Sequence, residues 1–491
     1  MAEIQNPSDG FFGRQVLYAT PPANITWQTI GKILDDLMFI HLQNSKQIDR
    51  LYRFYRGKQD VLNRVKVVRP EINNPVVENR AFEVVEFKKG YEFSHPIQYT
   101  NAGQNDLAPI DVLNAYARLD AKESKDLELA EWEYVAGHGY RLCLPQSEVG
   151  PDDAPYVSEV LDPRNTFVVY TSDVHKQRFI AGSYVHEKTF SGTDQWRVGV
   201  YAGNKYFEWV LTSINPAQFS GNRPVRELAS PMGVPIVEYP VNSARVGYVE
   251  LCYHLFNAVN TLDSNRTDAL EQFVQALLVF VNCDFDNDEN GQPVIPRTGD
   301  AIAIKGTQGL PASIQYLVEQ LDQSGTQVTK EDLLNAIYEI CGIPSRQNRN
   351  SGGGDTGQAV VLRNGWGAAE ARAKSTEKLF KRSEMDFLRL VLRVCRDKPA
   401  AAKEIGDLTL RDVGINFTRN RSDAMQTKAQ TLEILLRCGI NPEDAIEFSE
   451  MFNDPSAVYK KSIEGIEKAL GQSAISENPE TSVPPAQAED I

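Results

Sequence analysis

The chain has 491 residues, 42% apolar and 24% charged, the composition of a soluble globular protein too long for one core, so roughly two to four domains are expected. Lys and Arg number 51 against 66 Asp and Glu, a net charge of −15. That sign excludes a conventional DNA binder, whose affinity comes from neutralising phosphates, but not a protein that contains DNA without gripping it.

In chain order, the apolar positions Ile30, Ile33, Leu34, Leu37, Met38 and Leu42, then Ile48, Leu51 and Tyr55, predict two helical stretches over residues 27–56, stopped by Gly57. Residues 112–135 read as a third helical region, ending at Gly137-His138-Gly139. Residues 140–239 change to short alternating runs (166–170, 180–185, 196–201) punctuated by Gly, Pro and Asn, an antiparallel β-rich region. A long helix follows over 248–273, roughly 39 Å, with Leu251, Leu255, Val259, Leu262, Ala269 and Phe273 as its stripe, weakened at Asn265-Arg266.

Next comes a strand-rich insert over 277–282, 300–305 and 313–318. A short helix then opens at Thr329-Lys330-Glu331-Asp332, a capping-box spacing. It carries Leu333, Leu334, Ile337, Tyr338 and Cys341 on one face and ends at Gly342 and Pro344. Residues 346–357 are polar and glycine-rich, with nothing large to bury, and read as a mobile, solvent-facing loop. The helix predicted over 366–396 is roughly 45 Å long. Phe380, Phe387, Leu388, Val391, Leu392, Val394 and Cys395 give it an apolar face broad enough to suggest burial on more than one side, as in a ring of subunits. Its many cations read as a solvated or cross-paired face. A strand-like stretch (408–419) and short helices follow, one starting cleanly at Asn441-Pro442. Residues 471–491 are polar, acidic and Pro-containing, and read as disordered.

Candidate chemistry is sparse. Gly352-Gly353-Gly354-Asp355-Thr356-Gly357 satisfies G-x-G-x-x-G, but a dinucleotide site needs a strand immediately before it, and no G-K-[ST] occurs. Asp286, Asp288 and Asn290 with Gly291 match the first half of a calcium loop, yet its twelfth position is Arg297 instead of a bidentate Glu. An Asx-turn in an acidic tip is the better reading, with a weak divalent-ion site as its alternative. The six histidines lack metal spacing, and His138 between two glycines reads as a turn residue. Cys143, Cys252, Cys283, Cys341, Cys395 and Cys438 are scattered, without a close pair, as in a reduced protein using thiols as small core residues. The longest apolar run, residues 276–281, is too short to cross a bilayer, and the start Met1-Ala2-Glu3-Ile4 is no secretory signal, so no membrane partner is expected. No cofactor is expected either.

Several stretches carry a resemblance. Tyr52-Arg53-Phe54-Tyr55-Arg56-Gly57, continuing through Gln59 to Arg64, is similar to a helix end that typically reads Tyr-Tyr-x-Gly-x-x-x-Ile-x-x-Arg. Asn73-Asn74-Pro75-Val76-Val77-Glu78-Asn79, then Lys89-Gly90-Tyr91-Glu92-Phe93 and Pro96-Ile97-Gln98-Tyr99, match the segment after it. Val234-Pro235-Ile236-Val237-Glu238-Tyr239 through Asn242, leading by Gly247 and Glu250 into the long helix, is the most specific. Ile415-Asn416-Phe417-Thr418-Arg419-Asn420 with Asp423, then Gly439-Ile440-Asn441-Pro442-Glu443, complete the order. From about Trp27 to Lys461 the chain resembles the portal proteins of tailed, siphophage-type bacteriophages. It departs from them at Cys438, before a helix the family more often begins with Ser or Thr, and in the added acidic tip.

The resemblance implies an α+β portal-type fold assembled as a ring, a dodecamer in virions. Its parts would be a wing (1–246), a stem helix (247–273), a clip (274–325), a second stem helix (326–343), a tunnel loop (344–358), a long helix with wing return (359–407), a crown (408–470) and a disordered acidic tail (471–491). Arg346, Gln347, Asn348, Arg349, Asn350 and Asp355 would face DNA, and Asp284, Asp286, Asp288 and Glu289 would form the clip's docking surface. The implied role is a non-enzymatic channel at one capsid vertex of the virion, assembled in the host cytoplasm. Its implied partners are double-stranded DNA, the terminase large subunit, the head–tail adaptor, and the major capsid and scaffolding proteins. The competing reading from the residues alone is a phage nuclease or nucleotide-binding enzyme using the acidic tip or the Gly-rich loop.

Overall fold

The computed structural model describes residues 13–102, 108–150, 152–188, 190, 192–215, 218–274, 277–284, 305–306, 313–317, 323–344, 365–419, 425–449, 451–452 and 458–463. The chain forms two compact units, one drawn from Met1–Tyr52, Val84–Leu251 and Gly342–Ile491, the other from Arg53–Glu83 and Cys252–Cys341.

The first unit is layered around a six-stranded sheet. Its strand order is Leu17–Ala19, Thr166–Thr171, Arg178–Lys188, Asp194–Ala202, Lys205–Leu211 and Arg226–Ala229, antiparallel except for the first pair. The alternation expected over 140–239 is present, and it faces apolar side chains both ways. Phe167 and Val169 join Ile180, Val198, Val200, Phe207 and Trp209 against Ile30, Leu34 and Met38, one face of the helix Trp27–Tyr55. That helix is continuous, where two stretches were expected. Val168 and Ala181 on the other face meet Tyr140 and Ile236 of a three-stranded sheet, ordered Ile236–Pro240, His138–Pro145 and Tyr156–Leu161. His138 therefore opens a buried strand; the turn is made by Gly137, at φ +89°. An added Cβ there would stand 2.0 Å from the carbonyl oxygen of Arg245, so only glycine fits.

The other side of the three-stranded sheet carries helices. The single helix expected over 112–135 is two, Ala108–Leu119 and Lys122–Ala136, broken where Ala121 takes φ +52°. The long helix runs Trp366–Asp397, 32 residues or roughly 48 Å. Its Phe380, Phe387, Leu388, Val391, Leu392, Val394 and Cys395 are all buried within this one chain, so the breadth of its apolar face reflects its own unit and not a neighbouring subunit. The strand Val413–Asn416 pairs antiparallel with Gln98–Asn101, and the Phe417 ring lies 5.5 Å from Phe380 and 6.0 Å from Phe93. Arg419 then clamps Glu370 (3.0 Å) and Glu377 of the long helix. The helix Pro442–Ser449 starts as expected, with the Asn441 side chain accepting from the Glu443 N–H at 3.2 Å.

Where helices meet the three-stranded sheet, four charged side chains are buried together. Glu384, fully buried, lies 3.0 Å from Lys122 and 3.4 Å from Arg141. It accepts the hydroxyls of Tyr99 (2.6 Å) and Tyr239 (2.7 Å). Asp126 closes the group, 2.6 Å from Lys122 and paired with Arg141. Burial opposes ionisation of Glu384, but Lys122, Arg141 and the two phenols outweigh it and hold its carboxyl down to about 2. Two cations thus face two anions. The adjacent Glu133 is pushed the other way by burial and by Glu92, consistent with a neutral acid outside the balanced set.

Two enclosed histidines make this unit acid-sensitive. Burial lowers His41, whose Nε2 lies 3.1 Å from the Tyr184 hydroxyl, to about 4, and lowers His138 to about 3. Below pH ~6.5 the unfolded chain binds these protons and the folded chain does not, so stability falls as pH drops towards the folded values. Glu92 and Glu133, raised by burial, act with the opposite sign. The measurement is therefore the stability difference between wild type and His41→Gln. It should move by on the order of 3 kcal/mol in favour of the variant between pH 7 and pH 4 in urea melts. A pH-independent difference would show that His41 takes up its proton as readily in the fold as in the unfolded chain.

Candidate functional site

In the second unit the helices Tyr253–Val274 and Gln323–Cys341 run antiparallel. Cys252 and Cys341, both buried free thiols, approach to 3.5 Å between sulfurs. Folding thus brings together two of the cysteines that looked scattered. Farther along, Lys330 reaches both oxygens of Asp263 at 3.0 Å, and Arg266 donates to Gln327 at 3.3 Å. The same antiparallel register continues into the strands Leu277–Val281 and Ser313–Leu317, with Leu277 opposite Leu317, and then Cys283–Asp284 opposite Lys305–Gly306. Two of the three expected insert strands are present; of residues 300–305 only Lys305 is described, and it pairs with Asp284.

Two helix boundaries differ from expectation. The helix before Gly342 begins at Gln323, six residues before the proposed capping box. Thr329 therefore sits inside it and donates to the Gly325 carbonyl at 2.9 Å. The segment expected to be one helix over 248–273 breaks at Cys252 into Tyr248–Leu251 and Tyr253–Val274, and continues without interruption through Asn265-Arg266. Among the described residues its buried face shares only Val259 with the expected stripe. Leu251 is 48% exposed, whereas Phe256 and Val259 are followed inward by Asn260, Ser264 and Asp268.

Those three polar residues have a specific task. Asn260, Ser264 and Asp268 accept the backbone N–H groups of Glu78 (2.9 Å), Val76 (2.9 Å) and Asn74 (2.8 Å). Alternate N–H groups of an extended chain are spaced about 6.6 Å, and every fourth helical residue about 6 Å, so the two repeats match. A segment without a sheet partner is thereby satisfied by a helix. Asp268 also binds Arg64 (3.0 Å) and Lys66 (2.9 Å). Burial disfavours its charge, but the Asn74 N–H, Lys66 and Arg64 prevail and lower its carboxyl. Glu78 is lowered to about 2: burial opposes this, and hydrogen bonds with Asp263 and Lys330 and the Arg80 charge overcome it. Asp263 is raised by burial and by Glu78. Replacing Asp268 with alanine should cost about 1–3 kcal/mol in urea melts, because it orphans a buried N–H. Asp268→Asn should cost less; equal losses would assign the effect to the ion pairs instead.

Two of the undescribed stretches begin and end on described neighbours. Residues 285–304 leave and return at the paired Asp284 and Lys305. In the first unit, residues 345–364 leave at Pro344 and return at Gly365, where an added Cβ would stand 3.8 Å from the Pro344 Cα. Gly342, at φ +65°, lies against Arg372, whose Cδ an added Cβ would meet at 2.5 Å. Arg346, Gln347, Asn348, Arg349, Asn350 and Asp355, and likewise Asp286, Asp288, Glu289 and Asn290, fall outside the described residues. So do the Gly-rich motif, the half calcium loop and residues 471–491. Among the described residues no group of acids, histidines and cysteines could hold a metal ion, and no helix is long and apolar enough to cross a membrane.

Comparison with known proteins gives a family signal over most of the chain. The model of the family described as phage portal protein, SPP1 Gp6-like, matches residues 35–446. No curated protein matches the chain. Among solved structures, a chain of the "Neck of native GTA particle computed with C12 symmetry" aligns over 76% of this chain and 90% of its own, at 11% identity and TM-score 0.40. The family match runs from within the first helix to the helix at Pro442 and covers most of the chain: this protein belongs to the phage portal protein family of the SPP1 Gp6-like type.

Proposed function

We propose that this protein assembles as a ring, a dodecamer in the virion, at one vertex of the capsid, and that double-stranded DNA is packaged and ejected through its centre. The family match over residues 35–446 carries this reading. In it, residues 1–246 are wing, 247–273 and 326–343 stem, 274–325 clip, 344–358 tunnel loop, 359–407 the long helix and wing return, and 408–470 crown. The clip docks the terminase large subunit and later the head–tail adaptor, with Asp284, Asp286, Asp288 and Glu289 on its surface. Arg346, Gln347, Asn348, Arg349 and Asn350, with Asp355, line the narrowest part of the channel.

Three observations support these assignments. The helix pair continues into a strand hairpin in one antiparallel register, as a stem leading into a clip requires. Pro344 and Gly365, which bracket residues 345–364, stand close together, as the two ends of a loop require. And the net charge of −15 suits a conduit: a strongly basic bore would hold the duplex at every subunit at once, stalling its passage. The portal itself hydrolyses nothing; a separate ATPase supplies the work. Native mass spectrometry of the purified chain tests the proposal. A closed ring of about twelve copies without nuclease or ATPase activity is the expected result. A monomer that cleaves DNA or hydrolyses ATP would favour the enzyme reading.

A further inference from the structure

The outer face of the long helix Trp366–Asp397 is predominantly basic. Lys374, Lys378, Arg382, Arg389, Arg393 and Arg396 follow one another at helical spacing along roughly 33 Å, opposite the buried Phe380, Phe387, Val391 and Val394. Arg389 pairs with Asp386 at 2.5 Å, Lys374 stands 3.8 Å from Glu370, and Arg396 donates to the Leu408 carbonyl at 2.9 Å. Lys378, Arg382 and Arg393 are exposed and have no partner among the described residues. Three unneutralised cations on one line are unfavourable for an isolated chain.

The same unit carries the complement. On the helix Lys122–Ala136, Glu128 is exposed, and Lys125 is the cation bearing on it, more weakly than three neighbouring acids. Glu159 beside it is 59% exposed, with Lys125 no nearer than 4.0 Å. The Glu128 carboxyl is raised by burial and then by Glu131, Glu159 and Asp162, so these acids crowd one another. Each copy therefore presents a basic line and an acidic patch. A contact joining different patches of identical copies is heterologous, the type that closes into a ring.

We propose that Lys378, Arg382 and Arg393 of one copy dock on Glu128 and Glu159 of the next copy, an electrostatic contact between neighbouring subunits that rests on the ring reading above. Both surfaces occur once per chain, so every copy satisfies its two neighbours. A duplex would satisfy the cations and leave the acids crowded.

The test uses the full chain in native mass spectrometry and sedimentation velocity, over a dilution series at low and high salt. Lys378→Glu/Arg382→Glu/Arg393→Glu should require roughly tenfold more protein to assemble, and Glu128→Lys/Glu159→Lys the same, with circular dichroism unchanged. Combining both sets should restore assembly to within about threefold of wild type, and salt should weaken the wild-type ring more than either reversed set. The pairing is overturned if either set alone assembles like wild type, or if the combined chain fails to recover. It is also overturned if the first set loses duplex retention in a mobility-shift assay while its ring persists. A wild-type ring unmoved by these changes rejects the pairing alone, whereas a wild-type monomer rejects the ring reading and the pairing with it.

Discussion

Glu384→Ala is expected to destabilise the protein by on the order of 3–5 kcal/mol, the largest effect of any single truncation outside the glycine turns. The reason is what remains. Lys122 and Arg141, both buried, would face Asp126 alone, and the hydroxyls of Tyr99 and Tyr239 would lose their shared acceptor. A net positive charge would then sit among almost wholly buried side chains, and Arg141 is held cationic against burial by Asp126, Tyr239 and Glu384. Glu384→Gln keeps one carbonyl acceptor and should lose roughly half as much. Urea denaturation followed by tryptophan fluorescence separates the three proteins. If Glu384→Ala unfolded at the wild-type urea concentration, the four charges would not be acting as a unit. The network joins the long helix, the three-stranded sheet and the helix Lys122–Ala136, so assembly should fail with stability, with no separate effect on any docking surface.

Nothing in the local sequence announces that network, because its members sit at positions 122, 126, 141 and 384 and only the fold brings them together. What was legible was whatever one periodicity could carry. The strands Thr166–Thr171, Arg178–Lys188 and Asp194–Ala202 alternate and are bounded by turn residues, and the long helix repeats its apolar face for nine turns or so. The cap at Asn441 is a local signal and needs no tertiary help. The helix Arg80–Glu92 went unread because its inward side includes Lys88, fully buried, and Glu92, which break the apolar rhythm. The helix Tyr253–Val274 misled for the same reason: Asn260, Ser264 and Asp268 look like a solvent face and are buried against the backbone of residues 74–78. The match of the Asn73–Asn79 stretch to a family pattern thus has a physical origin, since Asn74, Val76 and Glu78 are the residues whose N–H groups that helix receives.

Replacing residues 345–364 by a four-residue Gly-Ser linker is expected to leave folding and ring assembly intact while reducing DNA packaged per particle by on the order of tenfold. The anchors make the substitution possible, since Pro344 and Gly365 are in near contact and a short bridge spans them without moving either. Loop-closure entropy points the same way. Shortening this excursion from 20 residues to four should favour the folded state by about 1.4 kcal/mol, so a loss of stability is not expected to confound the result. What is removed is Arg346, Gln347, Asn348, Arg349, Asn350 and Asp355, proposed to touch the duplex weakly from every copy. Weak contacts acting together hold a moving duplex without trapping it, so Arg346→Ala/Arg349→Ala should fall between wild type and the linker variant, with a shallower dependence of retention on salt. Quantitative DNA measurement on purified particles, beside native mass spectrometry of the same variant, separates the cases. Wild-type DNA content in linker-variant particles would remove this loop from the channel. A ring that no longer forms would assign the loop to subunit contacts, with the anchors at Pro344 and Gly365 as their base.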